Sequence, residues 1–483
     1  MRATRRHIAA LAILVSLSPA CASSSGSTET ASDQTPEERE ETIDAPTTAS
    51  YIPALRDLEL SESKPTVEKI GSREEIDAYR VGDLRVLHKK TPANSVVAAK
   101  LYFEGGVANL GDKRAGIEKL ALRVAVDGGT KSTPKDEFNA ALASMGSSID
   151  SFAGRDYSGY SLRCVKSHFD ETWDLFVESV VEPAFPESEI KLKRQKQLAE
   201  IRKIRENPNR LVAYMARKAI AEGHPYEHFQ LGTSETLPTF DRTALRAYHH
   251  WLVNPERMLL VVVGDVSSDE LIEKVSSTLG RLPSKEWKPA DLPPLEASSP
   301  SVKGVEKKLP TNYILGKFPA PAPGSSDYYA TLVGLEYLKD RLFQEIRTQR
   351  SLTYAVSAGL GAHRANSGYL YVSAKKPNET LKAMIDQIES LRQSGPSKAG
   401  LERTRNVFIT EHYLGLQTNA SQASALADAE LIHGDWRAFT RFADRVEAVT
   451  PEQVRSAIKS YLQNYQFAVV GRPDKLDLGT VGL

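Results

Sequence analysis

The stretch Arg347-Thr-Gln-Arg-Ser-Leu-Thr-Tyr354-Ala-Val-Ser-Ala358 joins a helical pattern to a strand-like one within the last third of the chain. Upstream of it, apolar residues recur at steps of three and four, which predicts a helix with one buried stripe formed by Leu335, Leu338, Leu342 and Ile346. The helix carries Arg347 in its last turn, and the strand is predicted to start at Leu352. This order of a helix and then a strand places two polar side chains at one junction.

An Arg at a helix end and a Tyr early in the next strand can converge on one point. Arg347 offers a planar cationic fork, and Tyr354 offers a phenolic donor to a peptide carbonyl or a developing oxyanion. The alternative is that Arg347 caps the helix C-terminus and Tyr354 is a half-buried strand residue. Spacing alone does not decide between the two.

The segment Leu342-Phe-Gln-Glu-Ile-Arg347, followed by Ser351-Leu-Thr-Tyr354-Ala-Val-Ser-Ala358, resembles the C-terminal-domain signature of the pitrilysin/insulinase family of zinc metallopeptidases. The Arg–Tyr pair belongs to that signature. In that family Gly often stands where this chain has Ser351, so the turn is altered here. The resemblance implies that Arg347 and Tyr354 bind substrate.

Composition is ordinary for a soluble globular protein. The 483 residues are 41% hydrophobic and 26% charged, and this length accommodates two or more domains. The 62 basic and 62 acidic side chains balance, and no aromatic-basic stripe is present, so a nucleic-acid partner is not indicated.

Residues 1–21 have the pattern of a secretory signal, in which Arg2, Arg5 and Arg6 precede an apolar run that ends at Leu17. Its removal leaves a net charge of about −3. The small residues before Cys21 resemble a bacterial lipoprotein processing site, although Leu17 lies one position further from the Cys than usual. We expect lipidation of Cys21 and an exported protein anchored by its lipid at the outer membrane, on the periplasmic side. The alternative is an ordinary cleaved signal.

Residues 22–70 are predicted to form a disordered tether, since the Ser/Thr/Glu-rich first part of this segment has almost nothing to bury. The other cysteine, Cys164, lies in a strand-like run. With Cys21 acylated or removed, neither an intrachain disulfide nor a thiolate metal site is expected.

The rest of the chain is predicted to be duplicated. A Ser-Gly-Tyr strand occurs at Ser158 and again at Ser367, and a helix followed by a Val-Val-Gly strand ends at Gly264 and again at Gly471. The offsets of 209 and 207 residues agree closely, as expected for an internal repeat. Helical stripes lie between these landmarks in both halves: Trp173, Phe176, Val177 and Val180 in the first, and Met384, Ile385, Ile388 and Leu391 in the second.

The predicted fold class is α+β, with two tandem homologous sandwich domains that each have helices on one face of a sheet. The domains are expected at 71–282 and 305–475, with a Pro-rich linker at 283–304 and a tail at 476–483. This organisation is similar to the small bacterial two-chain branch of the pitrilysin/insulinase family, which resembles the mitochondrial processing peptidase.

The catalytic motif of that family is missing. Active members carry His-x-x-Glu-His on a helix, where two imidazoles bind Zn²⁺ and the Glu is the general base, and a distant Glu is the third ligand. The corresponding stretch, Gly116 to Thr130, contains no histidine; Glu118 cannot replace two imidazoles, and Arg123 would repel a divalent cation. Glu200 resembles the third ligand, and its alternative interpretation is a solvated helix residue near Lys and Arg neighbours.

His224-Pro225-Tyr226-Glu227-His228 matches the zinc-binding pattern in letters only. The pattern needs its side chains on one helical turn, and Gly223 and Pro225 are helix-stopping residues, so we do not expect a zinc site here. No metal ligand is therefore predicted in this chain.

Three functions remain. The first is a non-catalytic, substrate-gripping subunit of a heteromeric zinc metallopeptidase, with Arg347 and Tyr354 acting beside the zinc of a partner chain of the same family. The second is a scaffold or binding protein with the same fold and no peptidase role. The third, a self-sufficient zinc peptidase using His224, Glu227 and His228, is the least favoured.

Overall fold

A computed structural model describes residues 58–483. The signal at 1–21, Cys21 and most of the predicted tether lie outside the described residues. No helix within 58–483 combines the length and the apolar character that crossing a bilayer requires.

The first half contains a seven-stranded sheet in the order β1-β2-β3-β7-β4-β6-β5. Its strands are β1 (Val67–Arg73), β2 (Ile76–Val81), β3 (Leu84–Lys90), β4 (Val96–Glu104), β5 (Ser148–Ala153), β6 (Tyr157–Val165) and β7 (Met258–Gly264). Its helices are α1 (Ile117–Asp127), α2 (Lys135–Ser144), α3 (Phe169–Val181), α4 (Glu187–Glu206), α5 (Pro208–Ile220), α6 (Arg242–Leu252) and α7 (Ser268–Ser277).

The second half contains a five-stranded sheet in the order β10-β11-β9-β12-β8. Its strands are β8 (Ser301–Glu306), β9 (Asn312–Pro319), β10 (Thr353–Leu360), β11 (Ser367–Ala374) and β12 (Gln466–Gly471). Its helices are α8 (Tyr328–Leu342), α9 (Pro377–Ser394), α10 (Lys398–Gly415), α11 (Asn419–Leu431), α12 (Phe442–Glu447), α13 (Pro451–Tyr461) and α14 (Leu478–Val481).

The two sheets share one topology. In each, the late Val-Val-Gly strand pairs parallel with the first strand of the repeat, β7 with β3 and β12 with β8, and the remaining pairs are antiparallel. The Ser-Gly-Tyr strands β6 and β11 occupy equivalent places, each beside an edge strand. The predicted α+β duplication is therefore confirmed, and β1 and β2 are additions to the first sheet.

Each half packs its own helices on one face of its sheet, as predicted. In the first core, apolar residues of α1, α3 and α6 meet those of β4, β6 and β7. In the second, α8, α9 and α13 cover the sheet. The α13 helix begins at a capping box, in which Thr450 and Gln453 exchange hydrogen bonds, with Pro451 at the first helical position.

The opposite face of each sheet is covered by one helix from the other half. Helix α5 lies on β9 and β12 of the second sheet, and helix α11 lies on β4 and β7 of the first. Leu426 and Ala427 of α11 are fully buried against Leu259 and Val261. Burying a leucine side chain contributes roughly 2 kcal/mol to stability. The packing of α5 and α11 on each other's sheets therefore stabilises the contact between the two halves.

Two strands start a few residues before the predicted domain boundaries, and the predicted tail contains a helix. Strand β1 starts at Val67, inside the segment predicted as tether, because its backbone pairs with β2. Strand β8 starts at Ser301, inside the predicted linker, because it pairs with β12. The tail at 476–483 is not free, since α14 forms and Leu476 and Val481 are buried in the second core.

Candidate functional site

The helix that carries Arg347 ends in a wider turn than predicted. After α8, residues Phe343–Gln349 are π-helical, and the amide of Arg350 donates to the carbonyl of Glu345 at 3.1 Å. Ile346 is fully buried in the second core and holds this turn against it. Arg347 is consequently exposed. Such π-helical turns inside helices are frequent at functional sites.

Ser351 reverses the chain between the helix and the strand. Its φ of 51° lies in the left-handed region, which glycine adopts at no steric cost and other residues adopt rarely. The turn thus has a backbone conformation that favours glycine, the residue expected at this position from the resemblance, although this chain has a serine there.

Tyr354 lies on β10, the edge strand of the second sheet. The register with β11 shifts between Thr353 and Val356, so Tyr354 sits in a β-bulge. The Thr353 hydroxyl fixes the bulge by accepting a hydrogen bond from the amide of Ala355 at 3.0 Å. The Tyr354 side chain is 89% exposed. Bulges beside active sites re-aim side chains in this way, and the half-buried alternative for Tyr354 is wrong.

Arg347 and Tyr354 line one open cleft of about 440 Å³, together with Thr311, Ser351, Leu352, Thr353, Ser373 and Lys375. The Arg347 guanidinium lies over the Phe343 ring at 4.8 Å from its centroid. Within residues 58–483, no carboxylate pairs with Arg347 and no group bonds the Tyr354 hydroxyl. Both polar groups therefore remain available to a ligand, and their role in substrate binding stays a prediction.

A second arrangement, in the first half, brings α1 and α4 together. The Arg123 guanidinium donates two hydrogen bonds to Glu200, at 2.9 Å to Oε1 and 3.2 Å to Oε2. Lys119 Nζ lies 3.7 Å from Oε2 of the same carboxylate. Lys119 and Arg123 are one helical turn apart, so both reach Glu200 from one face of α1.

These three positions have the layout of a His-x-x-Glu-His zinc centre with a third ligand from a neighbouring helix. In that register the histidine positions hold Lys119 and Arg123, and the position of the general base holds Leu122, which is 1% exposed. Glu118 points elsewhere, since it is buried and accepts a 2.5 Å hydrogen bond from the Tyr248 hydroxyl. Burial raises the pKa of the Glu118 carboxyl.

The side chains at these positions do not fit zinc. Zn²⁺ takes neutral imidazole, thiolate or carboxylate ligands, whereas two cations here already neutralise Glu200. Burial and the neighbouring Arg123 lower the pKa of Lys119, and Glu200 opposes that shift. Arg123 and Glu200 are recognisable from the sequence, whereas Lys119 was not predicted; its four-residue spacing from Arg123 is the signal that points to it.

The residues of the His-Pro-Tyr-Glu-His stretch diverge, as expected. His224 lies before a short 3-10 turn, and its Nε2 lies 2.8 Å from the carbonyl of Pro293. Glu227 accepts from the amide of Gly223 at 2.9 Å, and His228 Nδ1 lies 3.1 Å from Asp112. Among the residues that the structure describes, no group of three or more His, Cys, Asp or Glu is placed to hold a metal ion.

Two family profiles match the two halves of the chain. The profile described as Insulinase (Peptidase family M16) matches residues 85–234, and the profile described as Peptidase M16 inactive domain matches residues 239–408. Together they cover more than half of the sequence. The chain belongs to the M16 (insulinase) peptidase family.

Relatives in sequence agree with this assignment. An uncharacterized zinc protease of Mycobacterium leprae is 25% identical over 407 residues, which cover 81% of this chain and 90% of that protein. An uncharacterized zinc protease of Bacillus subtilis is 23% identical, with 71% of this chain and 85% of that protein covered.

Two solved structures share the fold. A peptidase M16 inactive domain from Pseudomonas fluorescens superposes with a TM-score of 0.74 at 20% identity and covers 82% of this chain and 98% of that one. A protease from Helicobacter pylori gives a TM-score of 0.73 at 17% identity, covering 84% and 99%. At these identities the likeness concerns the M16 fold alone.

Proposed function

We propose that this chain is the non-catalytic, substrate-holding subunit of a heteromeric M16 zinc metallopeptidase, and that a partner chain of the same family supplies the zinc. The observation that carries the proposal is the contrast between the two halves. Arg347 and Tyr354 share an open cleft with their polar groups available. The positions equivalent to a zinc centre hold two cations paired with Glu200.

In this proposal, the Arg347 guanidinium donates hydrogen bonds to a main-chain carbonyl or to the C-terminal carboxylate of a peptide. Tyr354 would donate a hydrogen bond from its hydroxyl to the carbonyl oxygen of the scissile peptide as that oxygen gains negative charge, beside the residues of the partner that would hold zinc. A preorganised donor of this kind contributes about 3 kcal/mol to transition-state stabilisation. The zinc itself, when bound by the partner, polarises the carbonyl and activates the attacking water.

The experiment is reconstitution with the zinc-bearing M16 chain that copurifies with this protein from its native membrane. Tyr354→Phe should lower kcat of the complex about 100-fold or more, because one oxyanion donor is lost. Assembly should be unchanged, since the Tyr354 ring is 89% exposed and its hydroxyl has no partner within the described chain.

Tyr413→Phe is the matched control, because Tyr413 is also an exposed tyrosine, at 59%, on helix α10. It should leave kcat unchanged. If Tyr354→Phe retains full activity in the assembled complex, Tyr354 is not an oxyanion donor. If no zinc-bearing chain copurifies, the two-chain proposal is wrong and a scaffold role takes its place.

We further propose that Cys21 carries a lipid that anchors the complex at the outer membrane, on the periplasmic side. The support is the sequence around Cys21, which lies outside the described residues. The intact mass of the mature protein tests this: an acylated N-terminal Cys21 supports the anchor, and an unmodified N-terminus overturns it.

A further inference from the structure

The tips of two equivalent hairpins meet where the halves join. The turn between β5 and β6 carries Arg155 and Asp156, and the turn between β10 and β11 carries His363 and Arg364. Asp156 is 5% exposed. One of its oxygens accepts a hydrogen bond from the Tyr226 hydroxyl, and the other lies 3.1 Å from His363 Nδ1. The amide of Arg364 donates to Asp156 as well, at 3.4 Å. The carboxylate is therefore fully engaged by these partners.

Three cations at this junction, Arg155 among them, have no carboxylate at ion-pair distance among the described residues. Lys317 on β9 donates to the Ser367 hydroxyl at 3.0 Å. Arg217 on α5 donates through Nη1 to the carbonyls of Tyr226 and His228, at 3.1 and 3.0 Å. The Arg155 guanidinium lies 5.8 Å from the centroid of the Tyr226 ring. Within residues 58–483, no acidic side chain pairs with Arg155, Arg217 or Lys317 at ion-pair distance.

The junction thus holds excess positive charge in a poorly solvated place. Burial and the neighbouring Arg155 and Arg217 lower the pKa of Lys317 to about 7. Burial and Arg155 lower the pKa of Arg217 to about 10. Burial also lowers the pKa of His363, although Asp156 opposes the shift. Uncompensated buried charge is costly, so buried charged groups are normally paired with a group of opposite charge.

The Arg217 guanidinium lies over two aromatic rings, 4.6 Å from the Phe229 centroid and 5.5 Å from the Tyr214 centroid. Arg217 is only 6% exposed, and its Nη2 makes no hydrogen bond. A buried guanidinium nitrogen left unsatisfied costs free energy that an incoming acceptor would recover. Lys317 and Arg155 are only partly buried, and the His363 side chain keeps 34% of its surface. These three side chains therefore reach the surface beside the buried Arg217.

We propose that these side chains form a recess between the hairpin tips and that it binds a carboxylate carried by a peptide, held by Arg155, Arg217 and Lys317. Arginine forks match the planar geometry of a carboxylate, and the lysine adds a point charge. The carboxylate belongs either to an acidic side chain or to a free C-terminus. The choice of a peptide as its carrier rests on the proposed function, whereas the preference for a carboxylate rests on the recess alone.

The test is fluorescence anisotropy of labelled hexapeptides with the full single chain, without a partner, at pH 6.5. One peptide carries a Glu and an amidated C-terminus, a second carries Gln and a free C-terminus, and a third carries Gln and an amide. We expect at least one of the first two to bind at least tenfold more tightly than the third. The first two peptides show which carboxylate the recess accepts.

The deciding variant is Lys317→Met, which keeps the aliphatic stem and removes a partly buried charge, so the fold should be retained. It should weaken binding of the preferred carboxylate peptide about tenfold and leave the third peptide unchanged. Arg155→Gln should act in the same direction. Lys376→Met is the matched control, because Lys376 is 71% exposed and pairs only with Glu379; it should have no effect.

Equal binding of all three peptides, or unchanged affinity in both Lys317→Met and Arg155→Gln, overturns the proposal. The outcome is separate from that of the proposed function. Peptide binding is measured on the single chain, whereas Tyr354→Phe is read as turnover of the assembled complex.

Discussion

Converting Lys119 and Arg123 to histidine tests whether α1 and α4 keep the frame of a zinc centre. The double variant Lys119→His, Arg123→His puts two imidazoles one turn apart, facing the Glu200 carboxylate that both cations now contact. Three such ligands are the number found in catalytic zinc sites. We therefore expect the variant to bind about one Zn²⁺ per chain, which the natural sequence should not.

The stability change follows from the contacts. The Arg123–Glu200 pair is bidentate, but the side chains are 25% and 38% exposed, so solvent screening limits it to about 1 kcal/mol. The 3.7 Å contact of Lys119 adds a few tenths of a kcal/mol. Without metal, the double variant should lose about 1 to 1.5 kcal/mol of unfolding free energy. Zinc at 100 times its Kd should return about 2.7 kcal/mol.

The assay is urea unfolding at pH 7.5 with and without zinc, together with metal analysis and the absorption spectrum of the cobalt form. Lys119→Gln, Arg123→Gln is the matched control, since it loses the same charges and gains no ligand. It should show the loss in stability and no response to zinc. A folded double-histidine variant that ignores zinc would refute the assignment of these positions.

Two further outcomes follow from the backbone and the buried histidines. Ser351→Gly should raise the unfolding free energy by about 0.5 kcal/mol, because glycine adopts the φ of 51° freely. The control Ser357→Gly, inside β10, should lower the unfolding free energy. A lower urea midpoint for Ser351→Gly would contradict the expectation. Burial lowers the pKa of His88 to about 4 and that of His249 to about 3, whereas both histidines have the ordinary pKa of 6.5 in the unfolded chain. Below pH 6.5 the unfolded chain therefore binds more protons than the folded chain. Each of the two histidines should lower the unfolding free energy by about 3 kcal/mol as the pH falls from 6.5 to 4. Urea unfolding across that range should show this decline, and the decline should be less steep in His88→Gln. An unfolding free energy that does not change with pH would contradict the expectation.

The duplicated fold could be predicted because its signals are local and repeated. The stripe Leu335, Leu338, Leu342 and Ile346 is fully buried, as its spacing indicated. The constant offset between the Ser-Gly-Tyr strands corresponds to equal strand positions in the two sheets. Helix caps such as Thr450 also act within a few residues. Period and capping report on these features directly.

Contacts between distant segments could not be predicted in this way. The apolar stripes of α5 and α11 show that one face is buried, but they do not show that each lies on the sheet of the other half. The pairing of Lys119 with Glu200, 81 residues later, depends on how α1 and α4 pack. The cluster of Lys317, Arg155 and Arg217 depends on three separate segments. The cleft was anticipated because Arg347 and Tyr354 are close in sequence and match a family signature.

The reciprocal seating of α5 and α11 has a consequence for how the protein can be divided. Severing the chain anywhere in the segment between Pro283 and Pro300, which contains no helix or strand, should leave both pieces in one particle. Neither piece made alone would have a cover for the outer face of its sheet, and each would expose a long apolar strip to water. Each repeat has its own core, but each also supplies the helix that covers the sheet of the other. The two repeats should therefore fold and remain stable only together.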